Sequence, residues 1–194
     1  MKHWNSQLLE LLNRDALPQY LSRRAPGGNM AEIGTYFGEF AEHILRGWNG
    51  HLSCIDPWKD LDDGEYRDGC ANGGVAGGRN PMSPIFTSAV ERLAPYRGQC
   101  TILRTKSETA LKVFNDEWLD CVYIDGNHKF DYAMADLDGW WPKVKPGGLI
   151  GIHDCYIRRD EVQDCGVWDA VWEMSNNCQQ HAFLTNCSSA WWIK

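Results

Sequence analysis

The chain has 194 residues, 43% of them hydrophobic and 23% charged, which is enough for one soluble domain with a full core. Its formal net charge of −7 argues against a surface that binds nucleic acid by general electrostatics, since such surfaces are basic. No run of about 18 apolar residues occurs, so no membrane span is predicted.

The cysteines and the N-terminus indicate the cellular compartment of the protein. None of the eight cysteines forms a C-x-x-C pair, so a zinc ribbon is not expected. Residues 1–5 do not begin an apolar signal-peptide core. We therefore expect a reduced, cytoplasmic protein, with Cys54 and Cys121 as buried thiols inside apolar runs.

In chain order, the predicted elements begin with a helical extension over residues 1–28, which holds one or two helices between residues 6 and 24. Five short apolar runs then predict strands, and helical periodicity follows each of them. The strands are expected at residues 30–33, 52–55, 101–104, 121–124 and 149–152, and the helices at 38–48, 83–93, 107–114, 131–141 and 167–174.

The last two predicted strands, at residues 181–185 and 189–194, form a hairpin. Alternating strands and helices predict a mainly parallel sheet with helices on both faces, and the hairpin adds an antiparallel strand. A single α/β domain over residues 1–194 is therefore expected.

One long segment interrupts this alternation. Residues 59–84 are rich in Asp, Gly and Asn and have almost no apolar periodicity, which predicts a long loop. As a lid over an acceptor, it would supply Tyr66, Arg67 and Arg79 for recognition of a polar substrate. The alternative is a surface insertion.

The first strand ends in a glycine turn with the sequence EIGTYFG at residues 32–38. It differs from the G-x-G-x-x-G turn of dinucleotide sites, and the acids Glu32 and Glu39 are unfavourable for a pyrophosphate. They favour a ligand that carries a positive charge. Asp56 ends the second strand, where a carboxylate can accept hydrogen bonds from a ribose. Together these residues predict a site for a cationic nucleoside such as S-adenosylmethionine (SAM).

Two further strands end in acids and imidazoles, in YIDGNH (residues 123–128) and GGLIGIHD (residues 147–154). Because ligands bind at the carboxyl ends of parallel strands, Asp125, His128, His153 and Asp154 are predicted to form a catalytic or metal-binding rim. The alternative is a pair of turns that happen to contain polar residues.

Four segments resemble class I SAM-dependent methyltransferases, namely EIGTYFG (residues 32–38), IDPW (residues 55–58), YIDGNH (residues 123–128) and KPGGLIGIHD (residues 145–154). Of these, YIDGNH and KPGGLIGIHD are similar to the branch of small-molecule O-methyltransferases and macrocin-type sugar O-methyltransferases. The resemblance covers about residues 30–155 and implies a Rossmann-like methyltransferase fold, with a seven-stranded sheet in the order 3-2-1-4-5-7-6.

The resemblance also implies a cofactor site for SAM. Gly34 and Gly38 would frame its methionine end, and Glu32 would orient that end. Asp56 would bind the ribose hydroxyls. The residues implied to contact the cofactor are Glu32, Gly34, Thr35, Tyr36, Gly38, Asp56, Trp58, Ser107 and Asp125.

The resemblance implies that two of these residues lie at the adenine. Trp58 would lie against the base, and Ser107 would border its edge. Ser107 is equally suited to be the N-cap of the helix that follows the third strand. Asp136 and Asp138 lie in the next helix and are predicted to be solvated charges.

The rim residues carry the predicted chemistry. Asp125, His153 and Asp154 are the expected ligands of Mg²⁺ or another divalent cation. His153 leaves metal dependence open, since imidazole suits manganese, iron or zinc better than magnesium. His128 is the expected general base, with Asp125 and His153 as the other catalytic candidates. The alternative for His128 is a cap on the following helix.

The predicted function is O-methylation of a small polar acceptor, such as a sugar or another hydroxyl compound. A non-catalytic cofactor-binding protein of the same fold is one alternative, and an NAD-dependent oxidoreductase is a weaker one, since G-x-G-x-x-G is missing. The expected partner is a small-molecule acceptor, without membrane or nucleic acid. A homodimer is one oligomeric state that the sequence leaves open.

Overall fold

The computed structural model describes residue 11 and residues 13–59, 82–155, 165–185 and 188–194. Most of the predicted loop at residues 59–84, with Tyr66, Arg67 and Arg79, lies outside the described residues. The first part of the predicted N-terminal extension also lies outside them.

Strands and helices alternate along the described chain. The strands are β1 Asn29–Ile33, β2 His51–Asp56, β3 Cys100–Arg104, β4 Leu119–Ile124, β5 Val144–Ile152, β6 Phe183–Leu184 and β7 Ala190–Ile193. The helices are α1 Leu17–Arg24, α2 Glu39–Gly47, α3 Met82–Leu93, α4 Ser107–Ala110, α5 Phe130–Trp140 and α6 Val167–Asn177. Short 3₁₀ turns lie at Arg14–Ala16, Ala94–Tyr96, Leu111–Val113 and Trp141–Lys143.

The strands form one seven-stranded sheet in the order β3-β2-β1-β4-β5-β7-β6. The first five strands in this order pair in parallel, and β7 is antiparallel to both β5 and β6. This confirms the predicted fold class and strand order. Because β1, β2, β4 and β5 are parallel neighbours, their carboxyl ends meet at one edge of the sheet, which is where α/β sheets bind ligands.

Among the departures from the predicted bounds, those of β5 and α3 concern segments that the sequence assigned to a break or a loop. β5 begins at Val144, five residues before the predicted start at residue 149, because a strand was not expected to include Pro146, Gly147 and Gly148. The strand passes through them with a register shift between Leu119 and Cys121 of β4. The amide of Gly147 is satisfied by the carbonyl of Lys194 at 2.7 Å. The second departure is α3, which begins at Met82 and so includes the last residues assigned to the loop.

The sheet separates two large apolar clusters. Side chains alternate along β1, so that Ala31 packs in one cluster with α5 and α6, while Met30 packs in the other with α1 and α2. Trp140, Trp191 and Trp192 are buried in these clusters. None of the helices in the described part of the chain has the length and hydrophobicity that a bilayer span requires.

Candidate functional site

The turn between β1 and α2 is built on two glycines in the left-handed region. Gly34 has φ +89° and Gly38, at the N-cap of α2, has φ +74°. The amide of Gly34 donates to the carbonyl of Ile55 at 2.8 Å. A Cβ on Gly34 would lie 2.0 Å from the backbone oxygen of Asp125. Only glycine therefore allows the end of β1 to lie against the end of β4.

Asp56 organises the same edge from the end of β2. It is 6% exposed, and its two oxygens accept from the amides of Tyr36 at 3.0 Å and Trp58 at 2.7 Å. Burial raises the pKa of Asp56, and the two backbone hydrogen bonds oppose that shift. Each carboxylate oxygen can accept a further hydrogen bond. The residue can therefore hold the turn and still accept from a ligand hydroxyl.

Trp58 does not have the place that the sequence predicted for it. The side chain has no exposed surface, and its indole Nε1 donates to the carbonyl of Tyr36 at 2.8 Å. Its ring packs on Phe86, with centroids 5.1 Å apart, and against Ile85. The predicted contact with adenine is wrong for this geometry, because the indole is enclosed in a small apolar cluster and presents no free ring face.

Glu32 is a buried acid next to the glycine turn. It is 2% exposed, and within the described part of the chain its Oε2 has no hydrogen-bond partner. Burial raises the pKa of Glu32 well above its usual range. The neighbouring Thr35 is also buried, and its carbonyl accepts from the amide of Gly38 at 2.8 Å. A buried carboxyl oxygen without a partner suits a ligand that brings a donor or a positive charge.

The four rim residues predicted at the ends of β4 and β5 do come together. His128 Nε2 lies 3.1 Å from Asp154 Oδ2 and 3.5 Å from Asp125 Oδ1. His153 Nδ1 lies 3.1 Å from Asp154 Oδ1 and 3.5 Å from Asp125 Oδ1. Asp154 adopts φ +56°, a left-handed conformation that is uncommon outside glycine and is enriched at functional sites.

The group with metal-ligand geometry differs from the predicted one. Asp125, His128 and Asp154 each offer one ligand atom, and these atoms lie within 4.8 Å of one another. The sequence predicts His153 as the imidazole ligand in this set and His128 as the general base. The cap on the following helix is not His128 either, since the N-cap of α5 is Lys129.

Hydrogen bonds from the imidazoles lower the pKa of both acids. Burial alone would raise the pKa of Asp125, but hydrogen bonds from His128 and His153 outweigh it and hold that pKa well below the usual range. The pKa of Asp154 is also lowered, since the hydrogen bond from His153 outweighs burial. At neutral pH the rim therefore presents two carboxylates.

The pH dependence of stability follows from His153. Burial would lower its pKa, but hydrogen bonds to Asp125 and Asp154 outweigh that effect and raise the pKa to about 9. The unfolded value of this pKa is about 6.5. Because the folded pKa is higher, the contribution of His153 to stability is fully present below about pH 6.5 and is lost as the pH rises towards about 9.

We expect the free energy of unfolding of the metal-free protein to fall by up to roughly 3 kcal/mol across that window, measured by urea denaturation. The variant His153→Gln should lack this slope. An equal slope in both proteins would contradict the assignment.

Arg14 is a rim residue that the sequence did not indicate. Its NH1 lies 3.2 Å from Asp125 Oδ2, and its guanidinium carbon lies 5.0 Å from the centroid of the Phe40 ring. Arg14 is separated from Asp125 by 111 residues. No local pattern around Arg14 could have indicated this contact.

The structure also differs from the predictions on whether Ser107 is an N-cap and whether Asp136 is solvated. The N-cap of α4 is Lys106, and Ser107 is its first helical residue. The Ser107 hydroxyl donates to Asp136 and accepts from Trp140 Nε1 at 2.8 Å. Asp136 is therefore not a solvated charge, and burial raises its pKa to about 6. Asp138 is exposed, as predicted.

Comparison with known proteins gives one family. A family model described as "Methyltransferase domain" matches residues 31–155 of this chain. A segment of 67 residues is 31% identical to protein y4gI of Sinorhizobium fredii. The segment makes up 34% of this chain and 7% of that protein. The chain thus spans only a small part of this curated relative.

Solved structures of methyltransferases share the fold. TomG of Streptomyces achromogenes, an O-methyltransferase involved in tomaymycin synthesis and solved in complex with SAM, is 14% identical with a TM-score of 0.61. That match covers 93% of this chain and 79% of TomG. An O-methyltransferase from Bacillus cereus, solved in complex with SAH, is 14% identical with a TM-score of 0.60, covering 100% of this chain and 93% of that one.

Proposed function

This chain belongs to the methyltransferase-domain family, whose model matches residues 31–155, and we propose that it transfers the methyl group of SAM to a hydroxyl of a small polar acceptor such as a sugar. The observation that carries the proposal is the contact between the turn at Gly34 and the backbone of Asp125. It brings a turn suited to a cationic nucleoside against a rim suited to proton removal.

For the cofactor, the proposal assigns Gly34, Gly38, Thr35 and Tyr36 to the turn that receives the methionine end. The buried acid Glu32 would accept from the amino group of that end, since one of its oxygens has no partner among the described residues. Asp56 would accept from the ribose hydroxyls. These assignments agree with the ligands of the two neighbours, SAM in TomG and SAH in the Bacillus cereus enzyme.

Ser107 stays within the proposed cofactor site at the edge of the adenine. Its hydroxyl is held by Asp136 and by the indole of Trp140, so its direction is set before a ligand binds. The base would contact this fixed hydroxyl rather than the enclosed ring of Trp58.

For the acceptor side, we propose that Asp125, His128 and Asp154 hold a divalent cation. Two carboxylates and one imidazole within 4.8 Å fit Mn²⁺ best and also fit Mg²⁺. When bound, such a cation lowers the pKa of an acceptor hydroxyl and orients it. His153 lies beside this set and would orient the two acids through its hydrogen bonds.

Without a bound cation, proton removal from the acceptor would fall to a rim imidazole. In the metal-free protein His153 has a pKa of about 9 and is protonated at neutral pH, so it cannot accept a proton there. His128, 3.1 Å from Asp154, is the remaining imidazole at this rim. It can act as general base when it is not a metal ligand. Alignment of the hydroxyl with the methyl group supplies a further large part of the rate.

Calorimetry with SAM tests the cofactor assignment. We expect wild-type protein to bind SAM and the variant Asp56→Ala to bind at least about tenfold more weakly, since two ribose hydroxyls lose a charged acceptor. Asp138→Ala, at an exposed position of α5, is the matched control and should bind as wild type does. NAD should give no heat of binding. Absence of SAM binding to the wild type would sink the proposal.

A further inference from the structure

Arg14 reaches the rim from a firmly anchored turn. The 3₁₀ turn Arg14–Ala16 lies between Leu11 and Leu17, both 0% exposed in the cluster that covers α2. The carbonyl of Asp15 is 2.9 Å from His43 Nε2 of α2. These contacts fix the backbone that carries the Arg14 side chain.

The guanidinium itself is held on two sides. Its NH1 bonds Asp125 Oδ2 at 3.2 Å, and its face lies over the ring of Phe40 at 5.0 Å. Phe40 in turn packs on Tyr123, with centroids 4.8 Å apart. The Arg14 side chain is 30% exposed and that of Asp125 25%, so solvent screens their attraction only in part.

We propose that Arg14 is a positioning residue that weakens the hold of the rim on a divalent cation, an inference that rests on the proposed metal site. Asp125 and Asp154 supply two negative charges, and His153 Nδ1 already lies 3.1 Å from Asp154 and 3.5 Å from Asp125. Arg14 places a further positive charge on Asp125, whatever the protonation state of His153. Since like charges repel, its guanidinium opposes a cation on Asp125 while it holds the orientation of that carboxylate.

Titration of the protein with Mn²⁺ alone, followed by electron paramagnetic resonance of the free ion at low ionic strength, tests this inference. We expect Arg14→Gln and Arg14→Met to bind Mn²⁺ about tenfold more tightly than wild type. Arg14→Lys keeps the charge and should stay within about twofold of wild type. Arg46→Gln, which loses an exposed arginine that bonds Glu42, is the matched control and should bind as wild type does.

The direction of the change separates this inference from a purely structural role. If Arg14 only supported the fold, its neutral variants would bind Mn²⁺ more weakly and unfold at lower temperature. Equal or weaker Mn²⁺ binding by both neutral variants therefore overturns the inference and leaves the metal site intact. Absence of Mn²⁺ binding to the wild type and to every variant overturns the metal site and the inference together, while SAM binding still reports separately on the cofactor site.

Discussion

Replacing Gly34 with alanine should destabilise the protein by about 2–5 kcal/mol, since left-handed backbone costs roughly 1–2 kcal/mol and overpacking roughly 1–3 kcal/mol. Gly34 has φ +89°, and its new Cβ would lie 2.0 Å from the oxygen and 2.5 Å from the carbonyl carbon of Asp125. Both are backbone atoms, so no side chain can move to relieve the overlap. Instead β1 must separate from β4 at the edge where the site lies. Urea denaturation measures the loss, and calorimetry should show that SAM binding is lost with it.

A variant at a second glycine, Gly27, separates the backbone cost from the overpacking cost. Gly27 has φ +67°, and a Cβ there would meet nothing within 4 Å. Gly27→Ala therefore carries the backbone cost alone and should lose only about 1–2 kcal/mol, with SAM binding retained. If Gly34→Ala is no less stable than Gly27→Ala, the close approach of β1 and β4 is not a constraint on the site.

The fold could be predicted because its signals are local. The parallel strands contain short apolar runs, and β1, β2 and β4 end at or directly before a glycine or an acid. The central strands are buried on both faces, as for β4, where Cys121 to Ile124 are all buried. The alternation of such runs with helical periodicity leaves few arrangements other than a mainly parallel sheet. The edge at which Asp56, Asp125 and Asp154 meet follows from that arrangement, without knowledge of any side chain.

The remainder of the site depends on contacts between distant parts of the chain. Arg14 lies in a short 3₁₀ turn, and nothing near it in sequence indicates that it bonds Asp125. Trp58 follows the right strand, but the packing of Phe86 decides that its ring is enclosed. The sequence alone predicts Asp136 as a surface charge on its helix, and only the fold brings the Ser107 hydroxyl against it. Tertiary packing determines each of these cases.

The division of roles between His128 and His153 has the same origin. Both follow strands, and both carry the same imidazole, so residue type does not distinguish them. Their distances to the two acids do not distinguish them either, but the ligand atoms that lie within 4.8 Å of one another are those of Asp125, His128 and Asp154. For His153, the hydrogen bonds to both acids outweigh burial and raise its pKa to about 9. Which imidazole can accept a proton therefore depends on the folded arrangement of the rim.

Replacing Asp154 with alanine should reduce methyl transfer by at least about 100-fold, because the loss removes a proposed metal ligand and the carboxylate that faces both imidazoles. Asp154 Oδ2 is 3.1 Å from His128 and Oδ1 is 3.1 Å from His153. SAM binding should stay within about twofold of wild type, since Asp154 is not assigned to the cofactor. The measurement is formation of S-adenosylhomocysteine with a panel of catechols and sugars. Asp138→Ala is the matched control.

Chelation distinguishes the two roles of Asp154. If a divalent cation is required, treatment with EDTA should abolish turnover of the wild type as far as Asp154→Ala does, and added Mn²⁺ should restore only the wild type. If EDTA has no effect while Asp154→Ala is still inactive, the rim acts without a metal. Asp154 would then serve His128 alone, by orienting the imidazole and stabilising its protonated form as it takes the proton of the acceptor. In that outcome His128→Gln should be as slow as Asp154→Ala, and the double variant no slower, since the two residues act as a unit.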